Sequence, residues 1–173
     1  MKSYLLPMMI LLLVILTGCE KEGDNGYEAP GDQPVLFEFR YVNHAWGYTE
    51  NGWLIDSNGN MNIYDLPVDF NLPASSGYIS REDLVHNLSR TDSTIQTIGS
   101  KDLDYYTRLI AGAASGNIGK AENIAADAGS SVLSCYLYDT NKDMYQYIFL
   151  GSSGDWQQSN DSDEAELLVD WLK

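Results

Sequence analysis

The chain has 173 residues, with 25 acidic side chains against 10 basic ones and a formal charge of −15. That balance argues against nucleic acid or anionic lipid headgroups as partners of the body, although an acidic surface identifies no partner by itself. The length suits one hydrophobic core of ordinary size.

At the N-terminus Lys2 supplies a positive charge, and Leu5 to Leu16 forms an apolar run interrupted only by Pro7. About 12 residues is the length of a secretory signal core and falls short of the roughly 20 that a membrane-spanning helix needs. The run ends in Leu16-Thr17-Gly18-Cys19, which resembles the lipobox of bacterial lipoproteins. The resemblance implies a signal peptide over 1–18, a diacylglyceryl thioether on Cys19, cleavage before that residue and acylation of the new amine. Small residues let an extended backbone enter the peptidase, and only a thiol can carry the thioether. Several acyl chains, at about 0.8 kcal/mol per buried methylene, hold a protein stably at a bilayer. The membrane is then a partner through the lipid alone. With Cys19 so committed, Cys135 has no intrachain disulfide partner, and the domain must rely on its core.

Glu20 to Pro34 is acidic and rich in Gly and Pro, so 19–34 is expected to be a lipidated cysteine followed by a flexible tether. The acidic cluster around Lys21 resembles the signal that sends Bacteroidota lipoproteins to the cell surface. It implies an outer-membrane, surface-displayed lipoprotein; a plain solvated spacer is the other reading.

The folded domain is expected over 35–173. Val35, Phe37, Phe39 and Tyr41 alternate with Leu36, Glu38, Arg40 and Val42, the period-2 pattern of a strand. Asn58-Gly59 lies between two strand-like runs and predicts a type I′ hairpin that opposes Ile55 to Asn62 and Trp53 to Tyr64. Ser80 can cap a helix carrying Leu84, Val85 and Leu88. Ser93 to Ile98 reads as either a short strand or a connection. Ser100 is expected to cap a second helix, with Leu103, Tyr106, Leu109 and Ile110 on one face and a stop near Gly116. Asn117 to Ser130 reads as loop.

A second hairpin with 140–143 as its loop puts Tyr138, Tyr136 and Ser134 opposite Tyr145, Tyr147 and Phe149 on one side. Leu137, Cys135 and Leu133 oppose Gln146, Ile148 and Leu150 on the other. The aliphatic side reads as core, and the aromatic side as either a second packed face or an exposed platform. A C-terminal helix follows, with acids in its first turn and a stripe of Ala165, Leu168, Val169 and Leu172. Two hairpins, an added strand and about three helices predict an α+β domain with helices packed on an antiparallel sheet.

Chemistry is sparse. His44 and His86 are the only histidines and belong to no metal-ligand spacing. Gly151-Ser-Ser-Gly154 lacks the nucleophile-elbow pattern and reads as a turn. Cys135 falls on the core side of its strand, where a thiol is inert. Asp56-Ser-Asn58-Gly-Asn60 and Asp139-Thr-Asn141-Lys-Asp143 echo calcium loops, but their glycine and glutamate positions are wrong. No metal or cofactor is expected. Trp46, Tyr48, Trp53 and Trp156 are the candidate ligand-binding aromatics, for stacking on sugars or gripping a protein partner; closing the core is their other role. The expected function is a non-catalytic, lipid-anchored binding or accessory module of the cell envelope, with a glycan or protein partner. The alternatives are a small enzyme with a dispersed carboxylate site, or an inhibitor of an extracellular enzyme that presents the 117–130 loop.

Overall fold

A computed structural model of the protein describes residues 27–173. The expected signal peptide, Cys19 and the first part of the expected tether lie outside the described residues. The elements are β1 (Phe37–Asn43), β2 (Thr49–Ile55), β3 (Asn60–Asp65), β4 (Tyr78–Ile79), α1 (Arg81–Ser89), β5 (Ser93–Thr97), α2 (Ser100–Arg108), α3 (Ile110–Ala113), β6 (Glu122–Asn123), β7 (Ser130–Asp139), β8 (Met144–Gly154), β9 (Trp156–Ser159) and α4 (Asp163–Leu172). The strands form one nine-stranded sheet in the order β5-β3-β2-β1-β7-β8-β9-β6, with β4 pairing β8. Every pairing between these strands is antiparallel. The protein is therefore an α+β fold, as the hydrophobic periods predict, with more strands than the two hairpins and one addition.

A packed cluster lies on each face of the sheet. On one face Phe37, Ile55, Cys135 and Ile148 meet Leu103, Ile110, Ala165 and Leu168 of α2, α3 and α4. Each Leu, Ile or Phe among them contributes about 1.5–3 kcal/mol by leaving water. Trp171 of α4 locks this layer, stacked on Tyr106 at 4.1 Å and edge-on to Phe37 at 5.2 Å. Asn160 ties the layer to the sheet: its amide donates to the carbonyls of Ala113 and Phe149 and accepts from the Ser162 amide. On the second face Leu54, Tyr64, Tyr136 and Tyr145 pack against Ile79 and against Leu84 of α1. Ser80 caps α1 by accepting from the Asp83 amide at 3.0 Å.

The β7–β8 register matches the predicted pairs from Ser134 to Tyr138, but a bulge opposes Leu133 to Gly151 and displaces Leu150. Four other expectations change. The β2–β3 register is shifted, with Ile55 opposite Met61 and Trp53 opposite Ile63. The loop holds three residues because Gly59 alone of the Asn58-Gly59 pair takes positive φ (81°). A type I turn closed by Gly59 donating to the Asp56 carbonyl replaces type I′. Ser100 is the first residue of α2 and Gly99 is its cap, without a side-chain bond. Val35 joins the second cluster and Leu36 the first, since the regular strand begins only at Phe37.

Folded structure also begins before the expected start at Val35. Gln33 is fully buried, donating to the carbonyls of Val35 and Tyr136 at 2.9 Å and accepting from the Tyr27 hydroxyl at 2.6 Å. Tyr27 in turn accepts from the Tyr138 amide. A polar, Pro-rich segment can therefore belong to the fold when its amide side chain satisfies backbone groups that would otherwise be buried unpaired.

Candidate functional site

The second face is incompletely covered. Beside α1 the chain from 66 to 77 crosses the sheet without regular structure, held by specific bonds. Asn87 of α1 clasps Asn71, accepting from its amide and donating to its carbonyl at 2.8 Å each. Gly77, at φ 79°, turns the chain by donating to Ala74 and accepts from the Tyr147 amide of β8. Between this segment and the strands lies a cleft of about 610 Å³, within the range of small-ligand sites.

Its walls are mainly apolar, with Val42, Val132, Leu72, Pro73 and Ala74, and its rim carries His44, Ser75 and Ser130. The floor is ionisable. Glu38 and Arg40 of β1 and Tyr147 of β8 face into the cleft, and Glu50 of β2 lies beside them, bound through its Oε1 to Arg40 Nε at 2.6 Å. The Tyr48 hydroxyl donates to the other Glu50 oxygen, so both are engaged. Glu38, only 8% exposed, accepts from the Tyr136 hydroxyl. Below it Tyr64 lies across Gly52 and donates to the Phe39 carbonyl at 3.3 Å.

Burial raises the Glu38 carboxyl above its ordinary value and is opposed by the Tyr136 hydrogen bond and by Arg40. Burial also works against the charge on Arg40, but the hydrogen bond and attraction from Glu50 prevail and raise it. Burial, reinforced by Glu38, pushes the Tyr147 hydroxyl up to about 12, so it is a neutral donor at ordinary pH.

The four predicted aromatics separate. Trp46 and Tyr48 stand together in and beside the β1–β2 connection, 87% and 54% exposed, with Tyr48 5.2 Å from His44 on the cleft rim. Trp53 is on the opposite face, stacked on Phe39 at 5.8 Å and packed on the first core. Trp156 is exposed on β9, three strands from β1 and so about 14 Å away across the sheet. The Tyr-rich side of the second hairpin is a packed face: Tyr136 and Tyr145 are 1% and 2% exposed.

The other candidates have structural explanations. The Asp56 carboxylate accepts from the amides of Asn58 and Asn60, and that of Asp139 from the Asn141 amide and Lys142. Both acids cap turns. Among the described residues no group of three His, Cys, Asp or Glu could hold a metal ion. His86 is half-buried, with Nε2 3.0 Å from the Asp69 carbonyl. Ser152 and Ser153 continue β8 as strand rather than turn, because Ser152 pairs with both Val132 and Gln158. Cys135 is fully buried. A further hollow of about 540 Å³ lies on the opposite face beside α4, where its acids Glu166 and Asp170 are exposed.

Sequence reasoning did not single out Glu38, Arg40, Glu50, Tyr136 or Tyr147 as site residues. One signal was available: an acid and an arginine two residues apart within an otherwise apolar strand. Comparison with protein-family models, curated proteins and solved structures finds no match to this chain.

Proposed function

We propose that the protein is a lipid-anchored cell-envelope lipoprotein whose domain is a non-catalytic binding module, and that the cleft on the second sheet face is its ligand site. The observation behind the binding role is a cleft of about 610 Å³ with apolar walls over a floor of buried Glu38 and half-buried Arg40 and Tyr147. Apolar walls supply affinity, and a few fixed polar groups orient the ligand. Tyr48 stands against His44 of the rim and Trp46 is exposed in the same connection; exposed rings add contact area at little entropic cost.

Two features weigh against the carboxylate-pair enzyme. The cleft lining holds one carboxylate, Glu38, and the neighbouring Glu50 is saturated by Arg40 and Tyr48. Inhibition of an extracellular enzyme keeps one supporting observation, because the 117–129 loop is braced without a disulfide. Gly119 donates to Ser159, Ile124 to the Asp155 carbonyl, and Ala128 to the Asp155 carboxylate at 2.7 Å. Ile118 and Ile124 are presented to solvent on it.

The anchor reading rests on Leu16-Thr17-Gly18-Cys19. Eight residues from Cys19 to Tyr27 can reach at most about 29 Å, which would hold the domain close to the membrane. Lipid labelling of the wild type beside Cys19→Ala, followed by protease shaving of intact cells, tests it. Label that vanishes in the variant, with the wild type shaved away, supports a surface lipoprotein. Label with resistance to shaving keeps the anchor and moves the domain to the periplasm, and an unlabelled wild type overturns the anchor.

A further inference from the structure

We propose that the cleft takes a monovalent amine on an apolar body, with the ammonium group seated against the Glu38 carboxylate at the floor. This rests on the cleft being the ligand site and adds the class of ligand.

The charges at the floor do not balance. Arg40 Nε lies 2.6 Å from Glu50, so these two form a neutral pair, and Tyr48 occupies the second oxygen of Glu50. Glu38 is left with the Tyr136 hydroxyl. One carboxylate therefore faces the cavity without its own cation. A buried charge in that state is strongly disfavoured, and either a proton or a bound cation relieves it.

The groups facing Glu38 come from five strands. They are Arg40 on β1, Glu50 on β2, Tyr64 on β3, Tyr136 on β7 and Tyr147 on β8; His44 stands on the cleft rim. The three tyrosines are neutral at ordinary pH, and Arg40, which also attracts Glu38, is bonded to Glu50, so among the described groups at the floor the carboxylates outnumber the cations. An anionic ligand would meet the Glu38 carboxylate while Arg40 is already bonded to Glu50, and a polyvalent cation would have to shed its water among Val42, Val132, Leu72 and Pro73. An alkyl or aryl amine places each part where it is matched. The overall charge of −15 also draws cations toward the protein.

A proton competes for the same place, because burial raises the Glu38 carboxyl. Amine binding displaces that proton. Affinity therefore climbs with pH up to the folded midpoint of Glu38 and levels off above it.

The test uses the full-length lipoprotein in detergent micelles and three probes of matched shape: cyclohexylmethylamine, cyclohexylmethanol and cyclohexanecarboxylate. Amide NMR shifts of Val42, Gly77 and Val132 report the cleft itself, so partition of a probe into micelles does not register as binding. Expected at pH 7.5 is at least about tenfold tighter binding of the amine than of the alcohol, with no shifts from the carboxylate. The amine's advantage should shrink on lowering the pH to 5. Glu38→Gln, whose amide oxygen can still accept from Tyr136, should bind amine and alcohol equally. An alcohol that matches the amine on the wild type overturns the amine assignment while keeping the cleft as a ligand site, and that comparison needs no variant. So does an amine preference that survives in Glu38→Gln. No movement of the three amides with any probe overturns both the assignment and the site.

Discussion

Replacing Glu38 with glutamine preserves shape and the acceptor for Tyr136 while removing the charge, so it weighs the opposing influences at the cleft floor. Burial and Glu50 disfavour the carboxylate, Tyr136 and Arg40 favour it, and burial prevails. The folded carboxyl therefore titrates above its ordinary value of 4.5. Below that value both folded and unfolded chains hold the proton. As the pH climbs the unfolded chain releases it first, so stability falls by about 1.4 kcal/mol per pH unit from this group. The fall ends at the folded midpoint, above which the difference is constant. Glutamine has no such slope, and the variant should gain on the wild type as pH rises from about 4.5. Urea unfolding followed by tryptophan fluorescence at half-unit steps from pH 4 to 8 measures this, with constant m confirming that the compared transitions are equivalent. A wild type that gains on the variant with rising pH would mean that Arg40 and Tyr136 outweigh burial, and the charge accounting of the cleft would be wrong.

Gly52→Ala puts a Cβ 2.0 Å from the Phe39 carbonyl oxygen and 2.7 Å from the Tyr64 hydroxyl oxygen; a loss of about 2–3 kcal/mol in urea unfolding is expected, and an unchanged midpoint refutes the close packing of Tyr64 on β2. Asn160→Ala leaves the Ala113 and Phe149 carbonyls without their donor and should cost about 2–3 kcal/mol by the same measurement. Cys135 is fully buried, and burial raises its thiol well above the ordinary range; in a Cys19→Ala chain a thiol reagent at pH 8 should react only on unfolding, so rapid native labelling refutes the burial. Asp155→Ala removes the carboxylate that holds the Ala128 amide; hydrogen exchange of that amide should quicken and limited proteolysis should cut within 117–129, while an unchanged digest places the bracing elsewhere.

Local patterns carried most of the fold. Period 2 located β1, β7 and β8, and opposing the Tyr pairs across a four-residue loop reproduced the register from Ser134 to Tyr138, because side-chain alternation and loop length fix a hairpin together. The first hairpin slipped because Asn-Gly was read as type I′, whereas Asp56 accepts from the Asn58 and Asn60 amides and stabilises a type I turn. An aspartate at the first turn position was the available signal. Whether the Tyr-rich side was core was not readable, since tyrosine serves both roles and the partners that bury it, Leu54, Ile79 and Leu84, come from distant segments. Gln33 was hidden for a related reason: no local property of a polar tether says that an amide will bond two buried carbonyls.

The cleft was the least legible feature, and geometry explains why it exists. Strand β7 has ten residues and runs about 33 Å, while α1 has nine and covers only about 13 Å. The first face has three helical segments to cover it; the second has α1 and the irregular 66–77 segment. What α1 leaves open must be filled by loop or left to water, and the strand positions beneath can then carry charge. Glu38 and Arg40 occupy that stretch of β1, beyond Val35, where the second core ends. The same alternation that puts Phe37 and Phe39 under the helices turns Glu38 and Arg40 toward the uncovered part of the other face. An ionic pair and an extra carboxylate in a central strand are costly under a fully packed layer. At the edge of a short one they become the floor of a site, and only the length of α1 relative to the strands distinguishes the two situations.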